Sequence, residues 1–242
     1  MAIDPAPLWD FQDPAGSEAR FREAADVATG TSRLVLLTQL ARAIGLQERY
    51  DEAHLVLDDV ARTGVDDPEV DTRLALERGR LLRSAGNPSG AAGWFDRAGG
   101  HARDSGLDAL LVDSLHMMAI VAPADQRLGL NHEALALARA SADPAARAWE
   151  PSLLNNIGMC LVDAGELDEA LTTFREALAA SRRHGKPDAD VRIARWMVAW
   201  ALRLLGRSTE ALALQEELAA ELSALGEEDP YVDEELALLR RR

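Results

Sequence analysis

Two stretches of this chain, 79 residues apart, repeat one spacing of small and aromatic residues. Counting from Gly158, the residues at +7, +12, +16 and +19 are Gly165, Ala170, Phe174 and Ala177. Counting from Gly79, they are Gly86, Ala91, Phe95 and Ala98. Weaker copies start at Ala41, Ala119 and Ala199, so the origins recur every 38 to 41 residues. A spacing that served only local packing would occur once. Recurrence at this period marks a structural unit that cannot bury its apolar face alone and stacks on its neighbours.

Each unit reads as two helices. Leu154, Ile157, Gly158 and Leu161 make a stripe at i, i+3, i+4, i+7, and Leu37, Leu40, Ala41 and Ile44 repeat it. Leu167, Ala170, Leu171, Phe174, Ala177 and Leu178 form the stripe of the second helix. Gly86 and Gly165 suit helix C-termini, where a left-handed residue is wanted. Two antiparallel helices approach closely only where a side chain is nearly absent, so Gly158 is expected opposite Ala170, with Phe174 filling the space beside it. In the third unit Ala134 stands at +15 from Ala119, so its loop is expected to be about three residues longer. Composition agrees with helices: alanine and leucine dominate, and aromatic residues are 5 % of the chain.

These residues resemble the tetratricopeptide repeat family. "LLNNIGMCLVDAGELDEALTTFREAL" matches its pattern at Leu154, Ile157, Gly158, Leu161, Gly165, Ala170, Phe174 and Ala177, and "LALERGRLLRSAGNPSGAAGWFDRA" matches nearly as well. The likeness covers roughly residues 33–225. The unit is longer than the family's usual period of about 34, the Trp that opens and the Pro that closes the consensus unit are missing at their places, and the third repeat is degenerate. The longer period looks like the extended-helix subtype. The resemblance implies an all-α, right-handed superhelical solenoid of about five helix-turn-helix repeats, forming a single domain over residues 1–242. An N-terminal segment and half-repeat (1–32) precede the repeats (33–225), and a capping helix (226–242) follows. "SEARFREAA" supplies the half-repeat through Phe21 and Ala24. Asp229 and Pro230 open the capping helix as N-cap and first residue, Tyr231, Leu236 and Leu239 should cover the last repeat, and Arg240, Arg241 and Arg242 suit its negative end.

In this family the first helices line a concave groove that binds peptides. The columns beside the core stripe place Arg42, Arg80, Arg83, His116, Asn155, Asn156, Met159, Trp196, Trp200 and Arg203 there. Arginines match carboxylates, asparagine bonds a peptide backbone and tryptophan supplies anchoring area. The expected function is non-catalytic binding of a protein or peptide segment, acidic or ending in a C-terminal carboxylate. The alternatives are a self-assembling, homo-oligomeric scaffold and a small-ligand or peptide sensor acting through a separate effector. Arg42, Arg80, Arg83 and Arg203 also suit a solvated face, and the two tryptophans suit packing between repeats.

Other chemistries lack their residues. His54, His101, His116, His132 and His184 stand at no metal-ligand spacing from one another or from Cys160, "GNPSGAAG" lacks the Lys-Ser/Thr ending of a phosphate loop, and no catalytic constellation is present. No enzyme activity, cofactor or metal is expected. The formal charge of −15 disfavours nucleic acid and anionic membranes as partners. A single cysteine, no apolar run of membrane-spanning length and an N-terminus without a basic start or apolar core point to the cytoplasm.

Overall fold

The computed structural model describes residues 3–241, and every regular element among them is helical. Helix α1 (Pro14–Val27) is followed by five pairs. These are α2 (Gly30–Gly45) with α3 (Tyr50–Arg62), α4 (Pro68–Ser84) with α5 (Pro88–Asp104), and α6 (Asp108–Val121) with α7 (Ala124–Ala140). After a four-residue turn of helix, α8 (Pro144–Arg147), come α9 (Glu150–Ala164) with α10 (Leu167–Arg183) and α11 (Asp188–Leu204) with α12 (Ser208–Leu225). Helix α13 (Pro230–Arg240) closes the chain. It is thus an all-α helical-repeat solenoid with the expected number of pairs, and it divides into two compact units at Gln126/Arg127.

In the α4–α5 and α9–α10 pairs the core rests on the residues that recur in sequence. A Cβ added to Gly158 would lie 2.4 Å from Cε1 of Phe174, and one added to Gly79 would lie 2.4 Å from Cε1 of Phe95. The aromatic ring itself therefore occupies the glycine's missing side chain, rather than standing beside a Gly–Ala contact. Phe95 and Phe174 are fully buried. Where the origin is alanine, the residue at +16 is smaller than phenylalanine: Leu57 after Ala41, Leu135 after Ala119 and Gln215 after Ala199, all buried. Gly165 and Gly86 both have φ of 82°, the left-handed conformation expected at these helix ends.

The third pair differs from expectation. Its loop is two residues, Ala122 and Pro123, and is not lengthened. Pro123 has no N–H to continue α6 and steers Ala122 into extended backbone (φ −69°, ψ 155°), so α6 ends early and α7 starts early. Asn131, Leu135 and Ala138 then hold the +12, +16 and +19 places, all buried. The extra length lies in α8 instead, opened by Asp143, whose carboxylate accepts from Ala145 N–H, with Pro144 at its first position.

Both ends are covered. Residues 3–13 lie over α1 and α2: Ile3, Leu8 and Trp9 pack on the cluster of Phe21, Leu36 and Leu40, and Arg20 Nε donates to the carbonyl of Leu8 at 2.9 Å. The half-repeat is thus completed by an irregular segment. At the other end Asp229 caps α13 by accepting from Tyr231 N–H. Val232, Leu236 and Leu239 are buried, but Tyr231 is 68 % exposed, so Val232 does the covering expected of Tyr231. Arg240 pairs with Glu216 at 3.1 Å, and Arg242 lies outside the described residues.

Candidate functional site

The expected groove residues fall into the two units and are described within each. In the first unit, α2, α4 and α6 bring Arg42, Arg80, Arg83 and His116 around one cavity of about 230 Å³, whose apolar wall includes Leu46 and Ile120. One helical turn separates Glu77 from Arg80, so Nη1 of Arg80 donates to Glu77 Oε1 at 2.6 Å. Its Nη2 reaches across to α6 and donates to both oxygens of Asp113 at 2.6 Å. Glu77 and Asp113 are 1 % and 7 % exposed, so this is a buried ion network and not a solvated face. Burial works to raise the Asp113 pKa, but the charges of Arg80 and Arg42 outweigh it and hold Asp113 ionised. For Arg80, burial works to lower the pKa, and Asp113 and Glu77 reverse it and raise it. His116 is pushed down by burial, against the pull of Asp113, which favours the neutral ring near pH 7.

Arg42 has a different setting. Its guanidinium lies 5.3 Å and 5.2 Å from the ring centroids of Trp9 and Phe11, which stack on each other at 4.7 Å. No acceptor among the described residues meets its N–H donors. Burial above all, then Arg80, lowers its pKa. Glu77 Oε2 is buried and has no donor among the described residues. Arg83 is exposed and forms no ion pair among them.

In the second unit, Asn155 and Asn156 on α9 border a cavity of about 250 Å³ with Lys186 and, on α11, Asp190, Ile193 and Met197. The two asparagines have separate roles. Asn156 Nδ2 donates to Oδ1 of Asn131 at 3.5 Å, and Asn131 in turn donates to the Arg127 carbonyl at 2.9 Å, so Asn156 ties α9 to α7. The Asn155 side-chain amide is half-exposed and has no partner among the described residues. Met159 is exposed outside that cavity.

Trp196, Trp200 and Arg203 do not border the cavity. Trp196 stacks on Trp200 at 6.0 Å and meets the edge of Tyr231, while Trp200 lies 6.3 Å from Phe174. Arg203 donates to both oxygens of the buried Glu235 on α13, at 2.5 and 2.8 Å. Trp196 and Arg203 join the last pair to its cap, while Trp200 joins it to Phe174 of the preceding pair. Cys160 is half-buried, and burial raises its pKa, so its thiol is a poor nucleophile.

One cluster escaped the reading of the sequence. Glu150, at the start of α9, accepts from Arg139 at 2.7 Å, Arg183 at 2.7 Å and His184 at 2.9 Å, linking α7, α9 and α10. Burial works to raise its pKa, but the bonds from His184, Arg183 and Arg139 together bring it down to about 2. The partners in Arg80–Asp113 and Arg203–Glu235 stand 33 and 32 residues apart and join alternate helices, α4 to α6 and α11 to α13, whereas Glu150–Arg183, 33 apart, lies within one helix pair. Among the described residues no cluster of three or more His, Cys, Asp or Glu could hold a metal ion, and no helix is long and apolar enough to cross a membrane.

Comparison with known proteins gives one family. Models described as tetratricopeptide repeat match residues 38–105 and 149–220, together more than half of the chain. No curated protein matches. Among solved structures, BtubC (BKLC) from P. vanneervenii superposes with a TM-score of 0.69 at 16 % identity, covering 94 % of each chain. The apo form of the quorum sensor NprR from B. thuringiensis gives 0.64 at 14 % identity, over 95 % of this chain and 64 % of that one. NprR in complex with its cognate peptide NprX gives 0.57 at 14 % identity, over 95 % and 66 %. Aspartyl phosphate phosphatase F from Bacillus subtilis gives 0.67 at 14 % identity, over 98 % and 63 %. At these identities the likeness is one of fold.

Proposed function

Because the chain belongs to the tetratricopeptide repeat family, we propose that it is a non-catalytic interaction module that holds a peptide or protein segment against the first helices of its repeats. The observation that carries this reading is the recess between α9 and α11, where the Asn155 amide has no partner among the described residues and stands beside apolar Ile193 and Met197. An extended peptide supplies what that recess lacks: backbone groups for the amide and a side chain for the apolar floor. The NprR–NprX complex supports the reading, since a protein of similar fold is solved there with a peptide. Arg83, exposed and unpaired among the described residues, favours acidic segments in the first unit. Arg80, committed to Glu77 and Asp113, positions the site rather than meeting the ligand. The single half-buried thiol fits a reducing, cytoplasmic setting.

The test is titration of acidic, neutral and basic peptide pools, each with apolar anchors, followed by tryptophan emission. Asn155→Ala should weaken the best binder roughly three- to tenfold, the worth of one hydrogen bond. Arg83→Ala should weaken acidic peptides mainly at low salt, because an exposed charge is screened. Retention of no peptide, or equal affinity in wild type and Asn155→Ala, would overturn the reading.

A further inference from the structure

The cavity of the first unit holds complementary polar groups left without partners. Glu77 is 1 % exposed, and its Oε2 has no donor among the described residues. A buried carboxylate oxygen left so has lost its water and gained nothing in return unless a donor arrives. Arg42 borders the same cavity, and its N–H groups have no acceptor among the described residues. Leu46, Leu81, Met117 and Ile120 give the remaining wall an apolar character. About 230 Å³ is small beside the roughly 300–1,000 Å³ of sites for drug-sized molecules.

We propose that this cavity binds a free α-amino acid with an apolar side chain, its carboxylate on Arg42, its ammonium on Glu77 Oε2 and its side chain against Leu46, Met117 and Ile120. Charge balance selects the zwitterion. Of the groups not exposed to solvent, Arg42 and Arg80 face Glu77 and Asp113, two cations with two anions; Arg83, the third arginine of the cavity, is exposed and screened by solvent. A ligand with no net charge leaves that balance intact, and burying an uncompensated charge is what such networks tolerate least. A simple carboxylate would satisfy Arg42 and leave Glu77 bare, and a simple amine would do the reverse. The guanidinium fork fits a carboxylate, and an ammonium has three donors to offer an acceptor-only oxygen. A peptide terminus carries only one of the two charges. An internal peptide bond offers a neutral carbonyl and N–H to the same groups, so it is the competing occupant that the experiment must separate. The proposal stands apart from the Asn155 recess and survives the failure of peptide binding there.

The experiment is calorimetric titration of the wild-type chain with L-leucine, 4-methylpentanoate, isoamylamine and N-acetyl-leucinamide, with emission of Trp9, beside Arg42, as a second readout. L-Leucine should bind one per chain, and each analogue lacking a charge should bind about tenfold more weakly or worse, the loss of one charge-assisted bond. Arg42→Met and Glu77→Gln should each weaken L-leucine by a similar factor, with melting in the absence of ligand confirming that the variants fold. The analogue series needs only the wild-type chain, so it decides the matter even if a variant does not fold. No heat with L-leucine, or N-acetyl-leucinamide binding as tightly, overturns the proposal, the latter in favour of a peptide backbone.

Discussion

At Gly158 and Phe174 the packing of a helix pair reduces to one contact: the ring stands where a Cβ would be. Gly158→Ala should therefore cost about 1–3 kcal/mol by overpacking. Adding Phe174→Leu reproduces the alanine–leucine combination of Ala41 with Leu57, so the double variant should be more stable than the sum of the single losses by about 1 kcal/mol or more. Urea unfolding of the four proteins measures this, and strict additivity would break the pairing rule. Gln215 shows the rule's weak point. It occupies the +16 place after Ala199, is 0 % exposed, and neither end of its amide has a partner among the described residues. Gln215→Leu removes that deficit with little change of size and should stabilise the chain by about 1–3 kcal/mol, read as a higher urea midpoint. An unchanged or lower midpoint would mean that water or a ligand satisfies the amide.

Helices were legible from the sequence where their ends carry punctuation. Gly165 in α9 and Asp229 with Pro230 in α13 gave correct ends because a left-handed glycine and a capped proline act locally. Legibility failed where the deciding contact is remote. Nothing next to Arg80 announces that Asp113, a helix pair away, takes its donors, nor next to Arg203 that Glu235 of α13 does. In the third pair Pro123 is the local sign of the short loop, and Asn131 rather than Ala134 holds the +12 place. Glu150 gives the element scale a pH dependence. Its folded pKa, about 2, lies below the unfolded value of 4.5, so its contribution is complete above 4.5 and drains away as pH falls towards 2. Melting temperature should fall more steeply across that window in wild type than in Glu150→Gln, and parallel curves would remove Glu150 from the account. Helix α13 has a separate test. Ending the chain at Gly226 strips Val232, Leu236 and Leu239 from the last pair and leaves the Arg203 guanidinium without Glu235. Light scattering should show association, or melting a loss of stability; a monomer as stable as the full chain would make α13 an accessory tail.

Across the whole molecule 41 acidic side chains face 26 basic ones. Such an excess works against the compact state by self-repulsion, and salt relieves it as the screening length falls from about 30 Å at 0.01 M to about 8 Å at 0.15 M. Exposed pairs such as Arg62–Asp59 lose little on screening, because they contribute little. Over that range of sodium chloride the melting temperature should rise by roughly 2–4 °C, the equivalent of about 1 kcal/mol; a fall would give the lead to local ion pairs. The fit of Gly79 to Phe95 and of Gly158 to Phe174, against the alanine origin followed by a smaller residue, also bears on how such a chain can be reassembled from its parts. A recombination breakpoint inside a helix pair can join an alanine origin to a phenylalanine and create a clash at birth, while one between pairs carries each matched couple across whole. The unit that genetic exchange can transplant with its seam closed inside it is then the hairpin, because a cut and rejoining between hairpins leaves each matched couple together.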